Sequence, residues 1–312
     1  MSRVLTLTLN PALDLSIRLT ALSPGSVNRS QESSLTAAGK GNNVARVLAR
    51  HDHQVAVNGF LGRDNQGTFE RAFAQWGVED RFIRVAGDTR VNVKLSEADG
   101  RVTDINGPGA LVDEAAMAQL LDDIDARCDQ FEAVVISGSL PPGVTPEWLS
   151  ALIGRLRTQG LPVWLDSSGE ALVQGAQACP ALIKPNEHEL AECVGRPLPD
   201  EASLLAAARE LQQGGIENVL LSLGADGVVW LFDGGALRAR PPEVAVVSTV
   251  CAGDTLLAGA LHGVLEGWPR EKTLRFATAL SADAVRRIGV GRSDVEDFTA
   301  LCNAVCVEAL AT

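Results

Sequence analysis

Asp254 stands next to last in a run of small residues, Ser248-Thr249-Val250-Cys251-Ala252-Gly253-Asp254-Thr255, that opens a long apolar segment. At a helix start, residues of this size let the amides of Ala252, Gly253 and Asp254 converge on one anionic group, and the helix dipole adds to that preference. A carboxylate in the same place can take the proton of an attacking hydroxyl. A weak base suffices in phosphoryl transfer, where the nucleophile needs orienting more than early deprotonation. The plain alternative is an aspartate that only complements the helix dipole.

Four further groups carry chemistry. Ala37-Ala38-Gly39-Lys40-Gly41-Asn42-Asn43-Val44-Ala45-Arg46 is a glycine-rich turn entering an amphipathic helix. The glycines allow close backbone approach to a ligand, Lys40 supplies a point charge and Asn43 an amide for sugar hydroxyls. It is not a Walker loop, because Lys40 precedes the end of the turn. Lys184-Pro185-Asn186-Glu187-His188-Glu189 follows a short apolar strand, and Asn186 with Glu189 either supports magnesium through water or forms a capping box. A second capping box, Ser167 with Glu170, is expected just after Asp166 at another strand end, where open parallel sheets place their ligands. Ser222-Leu223-Gly224-Ala225-Asp226-Gly227 reads equally as a nucleotide-lining turn or a plain hairpin. Asp14, Arg90, Asn92 and Lys94 lie in alternating polar runs. There Arg90 and Lys94 suit a phosphate, Asp14 suits hydroxyls, and Arg90, Asn92 and Lys94 share a strand face.

Apolar runs at 4–9, 55–60, 133–137, 162–165, 181–183 and 219–223 alternate with helix-period segments at 42–50, 113–127, 146–158 and 202–213, the pattern of a parallel sheet covered by helices. Helices are expected again at 253–266, 270–287 and 294–309. Segments 12–20, 27–36 and 89–106 alternate apolar and polar residues and predict a small antiparallel sheet outside the core, a lid. The 312 residues are expected to form one domain, with lid segments at about 12–36 and 89–106.

Net charge of −12 excludes nucleic acid and anionic membranes as partners and requires any anionic ligand to sit in a local positive pocket. The apolar runs are too short for a membrane span and the N-terminus lacks signal-peptide organisation, which predicts a cytoplasmic protein. Cys128, Cys179, Cys193, Cys251, Cys302 and Cys306 form no C-x-x-C pair and are expected to be mostly buried thiols, with Cys302 and Cys306 on one helix face. His51 and His53 read as a solvated helix end rather than metal ligands. No G-x-G-x-x-G follows the first strand, which disfavours a dinucleotide enzyme.

Taken jointly, Asn10-Pro11-Ala12-Leu13-Asp14, Ala38-Gly39-Lys40-Gly41-Asn42-Asn43-Val44-Ala45, Ser137-Gly138-Ser139-Leu140-Pro141-Pro142-Gly143, Lys184-Pro185-Asn186 with Glu189, Ser222-Leu223-Gly224 and Ala252-Gly253-Asp254 resemble the ribokinase-like carbohydrate kinases, in their minor phosphofructokinase branch. The resemblance spans nearly the whole chain and implies an α/β fold of three α/β/α layers around a mostly parallel sheet with a β lid. It implies an ATP- and Mg2+-dependent enzyme. Within the branch, Phe60-Leu61-Gly62-Arg63-Asp64-Asn65 and Thr89-Arg90-Val91-Asn92-Val93-Lys94-Leu95 point to fructose 1-phosphate as acceptor, giving fructose 1,6-bisphosphate. Fructose 6-phosphate or tagatose 6-phosphate is the nearest alternative, and a catalytically silent sugar-phosphate-binding regulator is the alternative of another class.

By this resemblance Asp254 is the base, and Cys251, Ala252 and Gly253 shape the anion hole. Lys184, Asn186, Ser222, Gly224, Ala225 and Gly227 fall on the nucleotide side, with Asn186 and Glu189 supporting magnesium. Asp14, Gly39, Lys40, Asn43, Arg90 and Ser139 fall on the sugar-phosphate side, and relatives' lids imply a homodimer. Cys251 stands where the family usually has glycine, so a positive φ there predicts strain of ~1–3 kcal/mol. A thiol at that helix start is expected to be acidified. Asn42 replaces the usual apolar residue beside the glycine-rich turn.

Overall fold

The computed structural model describes residues 1–310. Strands β1 (Arg3–Thr8), β4 (Gln54–Gly62), β9 (Ala133–Ser137), β10 (Val163–Asp166), β11 (Leu182–Ile183) and β12 (Asn218–Ser222) run parallel in the order β12-β11-β10-β9-β1-β4. Two short strands, β5 (Glu79–Asp80) and β6 (Ile83–Val85), add to β4, while β13 (Val228–Phe232), β14 (Gly235–Arg240) and β15 (Cys306–Leu310) extend the other edge antiparallel. The central strands are apolar on both faces because helices cover both. One side carries α3 (Glu114–Asp125), α4 (Pro146–Thr158), α5 (Gly169–Gln177), α6 (Glu187–Val194) and α7 (Glu201–Gln213), with Leu120, Leu149, Leu172, Leu190 and Leu204 facing the sheet. The other side carries α1 (Lys40–Arg50), α2 (Gly67–Trp76), α8 (Ala252–Leu265), α9 (Arg270–Val285) and α10 (Phe298–Ala304), packed through Val44, Phe73, Leu257, Leu280 and Leu301.

The order of the sheet reverses beside β1: β4 lies on one side and β9 on the other, so their carboxyl ends diverge and leave a crevice. Asn10, Ser139, Asp166 and Lys184 all follow or end strands at this edge.

A separate sheet in the order β3-β2-β7-β8 is formed by β2 (Ala12–Leu19), β3 (Glu32–Ala38), β7 (Val91–Glu97) and β8 (Val102–Ile105). It is not wholly antiparallel as expected: β2 and β7 pair parallel, Asp14 opposite Asn92 and Leu15 opposite Val93, because both strands leave the main body in the same direction. One row across its four strands reads Leu35, Leu15, Val93, Ile105. Asp14, Asn92 and Lys94 occupy the opposite face.

Several expectations need correction. Residues 294–309 are not one helix. α10 ends at Ala304, and Cys306–Leu310 pairs with β14, so Cys302 and Cys306 share no helix face. Five cysteines are half-buried and Cys306 is exposed, rather than mostly buried, and all six are free thiols. Ser167 caps nothing. The N-cap of α5 is Ser168, and Ser167 instead donates its hydroxyl to the Gly138 carbonyl at 2.9 Å. His53 is buried, not solvated, against His262. No helix of the described residues is long and apolar enough to cross a membrane.

Candidate active site

α8 begins on Cys251, whose φ of 68° is left-handed, the strained conformation expected where glycine would be unstrained. That turn aims the first amides of α8 into the crevice. Among the described residues, no backbone acceptor is bonded to the N–H groups of Gly253 and Asp254, whereas the Ala252 N–H reaches the Thr249 carbonyl at 3.4 Å. The open donors are therefore Gly253 and Asp254, with Ala252 held in a long turn bond that a stronger acceptor can replace. The Cys251 thiol is not acidified: burial, then the charges of Asp254 and Asp14, push it up to about 12.

The Asp254 carboxylate is buried and accepts a 2.7 Å hydrogen bond from Asn43 Nδ2, on the first turn of α1. Burial and the neighbouring Asp166 charge raise its pKa to about 6, against the opposing pull of Lys40, Asn43 and Lys184. Asp166, at the end of β10 and 1% exposed, binds both lysines through one oxygen: Lys40 Nζ lies 3.2 Å and Lys184 Nζ 3.4 Å from Oδ1. Burial favours its neutral form, but the two ammonium groups outweigh that and hold the carboxyl below its usual range. Lys184 also overhangs the start of α8, since a Cβ added at Gly253 would sit 3.3 Å from its Nζ. An ammonium and free helix amides thus face the same space, a site for an anion built inside a strongly acidic chain.

Of the glycines in the turn before α1, Gly41 serves packing rather than ligand approach: a Cβ there would lie 2.4 Å from Thr8 Oγ1 and 3.0 Å from the Leu7 carbonyl. Gly39 is the N-cap at φ 118°, where a Cβ would meet Thr8 at 2.7 Å. Asn42 is fully buried and donates to the Ala38 carbonyl, so it does not reach the crevice. Asn186 and Glu189 form the capping box of α6, consuming Asn186 Oδ1 and Glu189 Oε2. Ser222 bonds back to the Pro185 carbonyl through both N–H and hydroxyl, which sets the turn Gly224–Ala225–Asp226–Gly227 beside Asn186. Gly227, at φ 98°, is required there, because a Cβ would lie 2.0 Å from the Ala239 carbonyl.

In the smaller sheet, Asn92 donates to Asp14 at 3.2 Å and Lys94 lies 3.8 Å from the same carboxylate. Burial raises the Asp14 pKa in spite of these partners. The charges of Asp14 and Lys94 act on the Cys251 thiol, so this polar face looks toward the start of α8. Arg90 departs from its expected place on the strand face. It precedes β7 and folds back to donate to the carbonyls of Asn10, Pro11 and Gly107 and to Ser139 Oγ, bonds that occupy four of its five N–H donors. Ser139 also accepts from Asn10. Sequence reasoning missed the bridging role of Asp166. Its position at a strand end was the available signal, but nothing in the spacing tied it to Lys40 and Lys184.

Residues 7–297 match the pfkB family carbohydrate kinase profile. The chain belongs to that family. The 1-phosphofructokinase of Vibrio cholerae (serotype O1) is 48% identical over 308 residues, covering 99% of this chain and 97% of that one. The 1-phosphofructokinase of Escherichia coli K12 is 45% identical over 299 residues, 96% of each chain. Phosphofructokinase-2 from Escherichia coli in complex with fructose-6-phosphate superposes with a TM-score of 0.88 at 29% identity, over 97% of this chain and 99% of that one. The pfkB fold accounts for the three layers, and the conjunction of Asp254, Lys184 and the open amides lies at the carboxyl edge of its parallel sheet.

Proposed function

We propose that this kinase transfers the γ-phosphoryl group of ATP to the free C6 hydroxyl of fructose 1-phosphate, giving fructose 1,6-bisphosphate and ADP. The observation that carries the reading is the buried Asp254 carboxylate, oriented by Asn43, on the same helix turn as the open amides and under Lys184. Its agreement with curated 1-phosphofructokinases over nearly the full chain supports the acceptor.

As the new O–P bond forms, the hydroxyl proton passes to Asp254 and the bond to the β–γ bridging oxygen breaks, the electron pair leaving with ADP. With a pKa of about 6, Asp254 is largely ionised at neutral pH yet basic enough to accept that proton. The Gly253 and Asp254 amides and Lys184 stabilise charge on the transferred oxygens, and Lys40 supports a phosphate from the α1 side. The turn 224–227 lines the nucleotide. Asp14, with Asn92 and Lys94, faces the sugar from the smaller sheet, which acts as the lid of the single domain, and Arg90 and Ser139 hold that sheet in register with the body. The one remaining N–H of Arg90 is available to the substrate.

Asp166, Asp254 and Glu189 are close enough to Lys40 that together they raise its pKa against the effect of burial. Such a carboxylate-rich surround suits a hard cation held through water, with the free oxygen of Glu189, beside Asn186, as its support. Magnesium bound there with ATP would neutralise charge on the phosphates. The apolar outer row of the lid, with Leu35 46% and Ile105 57% exposed, supports a homodimer formed lid to lid. Leu35→Glu should convert a dimeric sedimentation profile to a monomeric one. A cytoplasmic setting suits the six free thiols.

A coupled ADP-release assay with MgATP, comparing fructose 1-phosphate, fructose 6-phosphate, tagatose 6-phosphate and fructose, tests the acceptor. The expected result is the highest kcat/KM for fructose 1-phosphate. Preference for a 6-phosphate would reassign the acceptor and keep the chemistry, and no turnover with any would overturn the reading.

A further inference from the structure

The far end of α8 holds a second cluster that phosphoryl transfer does not use. His262, in the last turn of α8, faces His53, which immediately precedes β4, with His262 Nδ1 and His53 Nε2 2.8 Å apart. Both are buried, and Glu266, the C-cap of α8, is exposed one helical turn beyond His262. One donor atom from each of the three residues lies within 4.8 Å of the others. His53 is 5% exposed and its Nδ1 has no hydrogen-bond partner. The rings are fixed by their surroundings: His51 stacks on His262 at 4.5 Å and Trp268 meets it edge-on at 4.9 Å.

We infer that His53, His262 and Glu266 form a binding site for one divalent transition-metal ion of the zinc class, with water completing its coordination. Two imidazoles and a carboxylate are the donor set of zinc-like ions rather than of magnesium or calcium. The i, i+4 spacing of His262 and Glu266 puts both on one face of α8. The C-terminal end of a helix is the end that attracts a cation.

Burial holds both imidazoles below their usual range, His262 at about 3, so they are neutral and keep their lone pairs at neutral pH. The charged groups acting on the cluster from its neighbours are Asp52, Glu132, Glu266, Arg50, Asp294, Lys272 and the N-terminus. On binding, the shared hydrogen bond is replaced. Whichever ring donates it shifts its proton to its second nitrogen, so both stay neutral, and the nitrogens separate to about 3.3 Å, the edge of a tetrahedron with ~2.05 Å bonds. The ion would tie α8, which carries Asp254 at its other end, to the junction of α1 and β4.

Co2+ titration of the intact, chelator-treated protein in excess Mg2+ tests this. The expected result is one equivalent bound with the intense visible bands of a four- or five-coordinate site, displaced by Zn2+ and lost in His53→Gln and His262→Gln. Glu266→Gln alters only an exposed side chain, so it should fold as the parent protein does and bind Co2+ at least about tenfold more weakly. This decides the question even if the histidine variants misfold. Only the pale six-coordinate spectrum of aqueous Co2+, a thiolate charge-transfer band, or affinity unchanged in Glu266→Gln would each overturn the site.

Discussion

The two ends of α8 place a titratable group in the same predicament and treat it oppositely. At the N-terminal end burial and the Asp166 charge drive Asp254 toward its neutral form, but Lys40, Asn43 and Lys184 pull back and leave it near 6. At the C-terminal end burial drives His262 toward neutrality, and His51, His53 and Lys272 push the same way, down to about 3. Desolvation alone therefore does not mark the reactive end. What marks it is a set of neighbours that oppose desolvation and hold the group close to the pH at which it must act. Between the ends, α8 lies close against α9 at Gly259 and Gly263, where an added Cβ would meet Ala277 at 2.9 Å and Thr273 at 2.5 Å.

Asp254→Asn should produce the largest effect, a fall in kcat of ~10²–10⁴-fold with ADP affinity by calorimetry nearly unchanged. The same variant should be more stable than the parent. The carboxyl is raised from 3.8 to about 6, so its folding contribution is present below 3.8 and lost as pH rises through 6. Denaturant melts above pH 6 should show the gain, and equal stability there would mean that the lysines already neutralise the cost.

Lys184→Met removes the ammonium over the start of α8 and should lower kcat/KM by ~10²–10³-fold in the coupled assay. A loss confined to KM would place Lys184 in ground-state binding only. The acid limb of kcat/KM should lie near pH 6. Asn43→Ala removes a bond that favours the carboxylate, so the limb should move to higher pH. An unmoved limb would deny Asn43 its part in setting the contrast between the two ends. Gly263→Ala should cost ~1–3 kcal/mol in stability through overpacking against Thr273 while leaving turnover per folded molecule intact, because it strikes the helix far from Asp254.

Much of this arrangement is legible in the sequence because it is local. Apolar runs such as Ala133–Ser137 are strands through their own composition, and the small residues before Asp254 mark a helix start wherever they occur. What was not legible depends on distant pairing. Cys306–Leu310 contains nothing that forbids helix and becomes a strand only because the edge of β14 is there to receive it. The parallel pairing of β2 with β7 is decided by the path of the chain between them. Asp166 joins lysines from two other elements, and His53 meets His262 across 209 positions. Arg90 has the side chain of a phosphate ligand, and only the fold shows it spent largely on backbone carbonyls.

The pairing of β15 with β14 has a practical consequence for handling the protein. Arg240 to Ala236 find their partners in Cys306 to Leu310, so a chain cut after Val305 would leave β14 with an unpaired edge of N–H and carbonyl groups. The open edge of the sheet would move inward from the largely exposed β15 to β14, whose Ala236, Arg238 and Ala239 are buried, and such a truncation should aggregate while its active site remained encoded in full.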